Sequence, residues 1–300
     1  MPSPRQAPSP LGGLLLIGLA AISWGTTGSV ATILVARVEA SPLLIGAVRI
    51  WVAAICLVAG AWLAGGPPSL ARGDRWRAVA LGGCMAAYQA TYFTAVTLAG
   101  ITVAALVAIC SAPLLIAGLA VTMLREPLSR RLLLALGVGV IGTALLIATP
   151  RGALDLSRRN VAGALLALAA GLAYALYVVI TKRALTGSAP LPLASATFAA
   201  AAIFLAPVFA WVDAPLRQIA LGWPWLLYLG AVATAAAYAI YTVGLRRVPA
   251  SVAGVATLLE PLTATLLGTL VFGERLGGLG VLGAALLFTA LVLAVTDRAA

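Results

Sequence analysis

Within long apolar stretches, this chain carries a small set of side chains able to do chemistry. Glu260 is the only carboxylate deep inside any of them. An ionised carboxylate at such depth costs at least ~2.5 kcal/mol on insertion scales, so Glu260 is expected to be neutral, paired, or facing water. Two roles fit it: contact with a substrate ammonium or a coupling proton, or a hydrogen-bonded prop for the neighbouring Pro261. Arg49 lies about seven residues into its stretch, roughly 10 Å deep at 1.5 Å per residue. Outward snorkelling with a structural role fits Arg49, as does contact with a substrate carboxylate or an ion pair at an outer gate.

Around these charges stand aromatic and amide groups. Tyr88 and Tyr92 are four apart, while Tyr174/Tyr177 and Tyr238/Tyr241 are three apart, so each pair shares one helix face. Trp24 and Thr27 share a face in the first stretch, Gln89 adjoins Tyr88, and Ser111 or Ala112 is the first-half counterpart of Glu260. A tyrosine hydroxyl buried in lipid would lack a partner, so these faces are expected to point into the protein or a wet cavity. The predicted substrate-binding set is Trp24, Thr27, Tyr88, Gln89, Tyr92, Ser111, Tyr174, Tyr177, Tyr238, Tyr241 and Glu260. Core packing is the alternative for any single tyrosine.

Catalysis finds no equipment here. The chain has no histidine, no second buried carboxylate, and no serine–lysine or cysteine–histidine arrangement. No GxxxxGK[ST] run exists for ATP-driven work. Cys56, Cys84 and Cys110 are odd in number and lack CxxC spacing, which predicts small buried hydrophobes with neither disulfide nor metal site. No cofactor is expected.

The elements that must position these groups follow from composition. Of 300 residues, 63% are apolar and 9% charged, against about a quarter charged in soluble domains. Ten apolar segments lie near 11–36, 43–64, 76–98, 102–124, 132–149, 161–181, 192–212, 221–245, 251–272 and 278–295. Each can cross a hydrocarbon core of ~30 Å as a helix, and the period-2 pattern of a barrel is absent. The expected fold is an all-α polytopic membrane protein of ten transmembrane helices. Residues 1–10 are short and proline-rich and read as a disordered tail. The run behind them is too long for a signal-peptide core and is predicted to stay as the first span.

The net charge of +11 is a topology signal and implies no nucleic acid partner. With a cytoplasmic N-terminus, twelve basic residues fall on the inner side and six on the outer side, which places both termini in the cytoplasm of a bacterial-type inner membrane. Three of the outer six, Arg151, Arg158 and Arg159, share one loop and run against the trend. The basic surplus also favours anionic lipid. Trp62, Trp76, Trp211, Trp223, Trp225 and Tyr228 near span ends read as interfacial belt. Gly25, Gly28, Gly137, Gly139, Gly142, Gly280 and Gly283 offer faces for close helix approach, which leaves oligomeric state open.

The chain repeats itself. PLLIAGLAVTMLRE at 113–126 and PLTATLLGTLVFGE at 261–274 each run from a proline to a glutamate, and Thr102-Val103-Ala104 is echoed by Ser251-Val252-Ala253. A shift of 148 to 150 residues also aligns Tyr92 with Tyr241, Trp24 with Tyr174 and Pro42 with Pro192. A unit holding five spans is odd, so the second copy must enter from the opposite side. The predicted units are a five-helix repeat at 11–149, an extracytoplasmic linker at 150–160, and an inverted five-helix repeat at 161–296. Inverted repeats place a substrate near the midplane and alternate access by rocking. Pro113 and Pro261 are expected to kink their helices at the site, freeing the carbonyls of Ile109 and Thr257. Packing kinks are the alternative. Glu126 and Glu274 are expected at helix ends.

Trp24-Gly25, Arg49 and the run from Leu259-Glu260-Pro261 to Gly277 resemble the EamA-type members of the drug/metabolite transporter superfamily. The resemblance covers roughly 12–146 and 161–294. Leu124-Arg125-Glu126-Pro127 departs from it, since the family has glycine before glutamate. The resemblance implies secondary export of small molecules, and the tyrosine-rich middle is most similar to aromatic and neutral amino-acid exporters of the YddG type. Expected partners are a neutral or zwitterionic small molecule, the lipid bilayer and, if Glu260 titrates in the cycle, protons. Multidrug or other metabolite export on the same fold is the alternative. A non-transporting structural or receptor-like protein is the alternative of another class.

Overall fold

The computed structural model describes residues 10–65, 70, 73–147, 157–273 and 277–296, the side chain of Phe272 excepted. The tail at 1–9, most of the linker at 150–160 and Glu274 lie outside the described residues. The described chain is helical almost throughout: α1 (Pro10–Val38), α2 (Pro42–Gly65), α3 (Asp74–Leu119), α4 (Arg130–Ile147), α5 (Arg158–Ala184) and α6 (Pro190–Leu205) come first. There follow α7 (Val208–Trp211), α8 (Pro215–Gly230), α9 (Ala237–Leu245), α10 (Ala250–Ala256), α11 (Leu259–Phe272) and α12 (Gly278–Val295). π-helical turns at Ala120–Leu124 and Ala231–Ala236 extend α3 and join α8 to α9.

Helix is the form these sequences must take in lipid, because it alone satisfies every backbone group within one segment. Nine helical stretches among the described residues are long and apolar enough to cross a membrane. Large apolar side chains cover their outward faces, among them Leu15, Leu63, Ile203 and Phe288. The chain is an all-α polytopic membrane protein. Trp62, Trp76, Trp211 and Trp223 are exposed, as an interfacial belt requires.

The third stretch runs from Asp74 to Leu124, 51 residues, about twice what one crossing needs at 1.5 Å per residue. Its backbone breaks at Gly100, with φ 82° and ψ 161°, a region closed to residues bearing a β-carbon. Two contacts show what the break does. The Tyr88 ring lies 5.7 Å from Tyr174, and Ser111 packs against Gly171, one turn away on the same face of α5. Along a straight helix, the 23 residues from Tyr88 to Ser111 would span about 35 Å. The two arms of α3 therefore fold back against α5, with Ala95, Ala104, Ala108, Ala167 and Ala170 filling the contact.

Contacts sort the helix ends onto two faces. On the lower face, where α1 begins, Gly13 meets Gly244, Arg247 and Val248, Ser188 hydrogen-bonds Asp74 at 2.6 Å, and Arg131 reaches the Thr296 carbonyl. On the upper face, where α1 ends, Ser41 N–H donates to Gln218 at 2.8 Å and Arg159 donates to the Thr97 carbonyl. The main core joins α1, α2, both arms of α3, α5, α6, α9 and α10. Helices α4 and α12 pack apart from it. There a β-carbon on Gly142 would stand 2.8 Å from Leu287 N, and one on Gly283 would stand 2.6 Å from Gly142 O. These are small-residue faces used for close approach.

Candidate substrate-binding site

The paired aromatic faces meet in one connected set of rings. Tyr92 stacks on Tyr88 at 5.8 Å and Tyr88 meets Tyr174 at 5.7 Å. Tyr174 stacks on Tyr177 at 6.1 Å and meets Trp24 edge-on at 6.3 Å. Trp24 lies 4.8 Å from Tyr238 and 5.2 Å from Tyr241, and Tyr177 closes the ring set on Tyr238 at 5.8 Å. Helical spacing aimed each pair, and the fold-back at Gly100 brings the Tyr88/Tyr92 face onto α5. Edge-on and offset contacts of this kind add about 0.5–1.5 kcal/mol each beyond burial.

The remaining predicted residues border this cluster. Gly25, beside Trp24, admits the backbone of α11: a β-carbon there would stand 2.8 Å from the Glu260 carbonyl oxygen. Glu260 is half-buried, and its carboxylate has no ion pair among the described residues. Ser111 packs on Gly171 and donates to the Ala108 carbonyl at 3.2 Å. Gln89 is buried with neither amide atom hydrogen-bonded, and the buried Trp24 Nε1 and Thr27 Oγ1 likewise have no partner. Buried polar groups are almost always satisfied, so several orphans around one cluster point to a site for water or ligand.

The two prolines behave differently. Pro261 follows a break: α10 stops at Ala256 and α11 starts at Leu259. With no N–H on Pro261, the Thr257 carbonyl accepts instead from Glu260 N–H at 3.0 Å. Pro113 is buried within α3, and the helical backbone runs through it.

One open volume lies above the rings. A cavity of about 360 Å³ is lined by Ser41, Leu43, Phe93, Thr94, Thr97 and the Trp211–Asp213 turn, with Gln218. Phe93 touches both levels, since it also meets Tyr92 at 5.5 Å.

Sequence reasoning missed four residues here. Phe198 packs 4.8 Å from Tyr238 but has no aromatic three or four residues away to mark a shared face. Phe93 and Gly46 form a close contact that no local pattern encodes: a β-carbon on Gly46 would stand 2.6 Å from the Phe93 ring. Thr234 accepts from Arg49 Nε at 3.1 Å. It sits in the π-helical turn, where its hydroxyl donates to the Leu229 carbonyl five residues back. Tyr228, expected in the interfacial belt, shares a 2.9 Å hydrogen bond with Thr26.

A polytopic helical protein whose buried aromatic and polar groups converge from both halves of the chain is built as a small-molecule carrier. The chain belongs to the EamA-like transporter family, whose model matches residues 11–148 and 161–296. It is therefore a secondary transporter of the drug/metabolite superfamily, and not an enzyme. It is 34% identical over 279 residues to the uncharacterized transporter YwfM of Bacillus subtilis (strain 168), covering 93% of this chain and 92% of that protein. It is 31% identical over 136 residues, 43% of either chain, to the threonine/homoserine exporter RhtA of Salmonella typhimurium. A solved crystal structure superposes with a TM-score of 0.83 over 95% of this chain and 97% of its own, at 21% identity, which speaks to fold alone.

Proposed function

We propose that this transporter exports neutral or zwitterionic amino acids, with aromatic and other apolar ones first, by alternating access. The observation carrying this reading is the connected ring set, to which Trp24, Tyr88 and Tyr92 come from the first half and Tyr174, Tyr177, Tyr238 and Tyr241 from the second. Rings shared across two halves are separated or rejoined when the halves rock, so substrate binding there couples to the access change. An apolar, aromatic lining with few fixed charges suits an apolar side chain on a zwitterionic body.

In this reading the two arms of α3 count as two crossings. The chain then makes ten, in two five-helix repeats of opposite orientation at 11–149 and 161–296, with both termini and the lower face cytoplasmic. Substrate occupies the space bounded by Trp24, Thr27, Tyr88, Gln89, Tyr92, Ser111, Tyr174, Tyr177, Tyr238, Tyr241 and Glu260. The break ahead of Pro261 serves as a hinge, and Pro113 as its stiffer counterpart. Glu260 carries the coupling proton. A second reading, export of small hydroxylated amino acids, is favoured by the name of the RhtA relative.

The test is uptake by proteoliposomes. Tyr88→Ala, Tyr174→Ala and Tyr238→Ala are each expected to lower amino-acid uptake at least tenfold. Unaltered uptake in all three removes the ring set from the transport path.

A further inference from the structure

Resting on that reading, we infer that Arg49 and Gln89 form the subsite for the carboxylate of the transported amino acid, set between the upper cavity and the tyrosine rings. Arg49 is 7% exposed, and its one hydrogen bond among the described residues is Nε to Thr234. The only ion pair among the described residues is Arg77 with Asp74, so no described carboxylate is bound to Arg49. Its two Nη atoms leave four N–H donors in the planar fork that matches a carboxylate. A buried guanidinium without an anion is costly, unless an anion arrives with the substrate.

Gln89 supplies an independent observation. It is 1% exposed with both amide atoms unpartnered, and buried amides are rarely left so unless water or a ligand satisfies them. A β-carbon on Gly46 would stand 3.4 Å from Gln89 Oε1. Gly46 and Arg49 are three apart on α2 and share a face, so Arg49 lies one helical turn below the approach of Gly46 to Gln89. Leu43, one turn above Gly46, and Phe93, one turn above Gln89, both line the upper cavity. A solute leaving the rings for that cavity therefore passes Arg49 and Gln89, beneath the Phe93–Gly46 contact.

The pair also explains the half-buried Glu260. Glu260 lies where α11 meets Gly25 and forms no ion pair with Arg49. A cation and an acid separated across one site fit the two ends of a zwitterion, with the carboxylate on Arg49 and Gln89 and the ammonium toward Glu260. A plain apolar amine would satisfy only one end.

The experiment compares L-phenylalanine with L-phenylalaninamide, and L-threonine with L-threoninamide, as competitors of counterflow in proteoliposomes. Each amide keeps the ammonium and side chain but lacks the negative charge. The native protein is expected to prefer each acid over its amide by about tenfold or more, the worth of a charge-assisted hydrogen bond. Arg49→Gln is expected to bring that ratio near one while retaining the amide. Arg49→Lys and Gln89→Leu should reduce it by smaller factors, and they read the same ratio if Arg49→Gln does not fold. Equal weakening of acid and amide in these variants, or an unchanged ratio, overturns the subsite. Native protein that takes up all four compounds without preferring the acids contradicts this assignment alone. Native protein that takes up none of them contradicts the proposed function as well.

Discussion

Glu126 and Ser251 join the two halves of the chain at the lower face: the Glu126 carboxylate accepts from Ser251 N–H at 3.1 Å and from its hydroxyl at 2.8 Å. The same carboxylate takes Ala250 N–H at 2.8 Å, so it satisfies the free amides that open α10. Lys182 holds the preceding turn from the other side, donating to the carbonyls of Leu245 at 2.9 Å and Val248 at 2.6 Å. The connection from α9 to α10 is thus pinned through its carbonyls by one residue and through its amides by another. The cavity lies at the opposite face.

Glu126→Ala removes three hydrogen bonds to a carboxylate at a partly buried site. We expect a loss of about 2 kcal/mol, given 1.5–3 kcal/mol for a charged bond and partial solvent compensation. Ser251→Ala should cost about half as much. Thermal unfolding in detergent, native against both variants, measures the difference. Equal midpoints for all three would show that the contact carries no stability.

Gly100→Ala forces a β-carbon into a backbone conformation at φ 82°. The cost should be about 1–3 kcal/mol, even though no atom crowds that site. Gly118→Ala is the control, because Gly118 is helical and equally uncrowded; there alanine should be neutral or stabilising by up to about 1 kcal/mol. Unfolding midpoints of the two variants should therefore move apart. If Gly100→Ala matches Gly118→Ala, the fold-back of α3 does not depend on glycine.

Much of this architecture was legible in the residues. Charges, prolines and glycines cut the chain where helices end, since unbroken apolar runs in lipid have one stable backbone form. α12 spans Gly278–Val295, the limits that composition alone gave. The tyrosine faces were legible because spacing of three or four fixes a helix face before any tertiary structure is known. Contacts between helices were not. Phe93 on Gly46 and Arg49 on Thr234 join positions 47 and 185 residues apart, and Thr234 is exposed to Arg49 by a π-helical turn that no local pattern announced. The two prolines look alike in sequence, but the helix stops ahead of Pro261, where the Thr257 carbonyl accepts from Glu260 N–H, and continues through Pro113.

Glu260→Gln removes a titrating group while keeping shape and hydrogen-bonding capacity. If Glu260 carries the coupling proton, the variant should still exchange substrate at equilibrium but fail to accumulate it under an imposed pH gradient. Paired exchange and gradient-driven uptake in proteoliposomes separate the two behaviours. Gradient-driven accumulation at the native level in Glu260→Gln would rule out proton coupling at this residue.

Phe198→Ala should lower uptake several-fold by loosening Tyr238, its neighbour at 4.8 Å. Trp62→Ala, in a side chain that is 58% exposed, should leave uptake unchanged. Initial rates at subsaturating substrate give the comparison. Equal losses in the two variants would point to general misfolding rather than to the ring set.

The most direct test is counterflow in proteoliposomes loaded with a panel of amino acids, nucleosides and cationic drugs. Selective exchange of neutral amino acids, strongest for phenylalanine, tyrosine and tryptophan and lost in Tyr174→Ala, is the predicted result. Exchange confined to nucleosides or drugs, with amino acids inert, would contradict it.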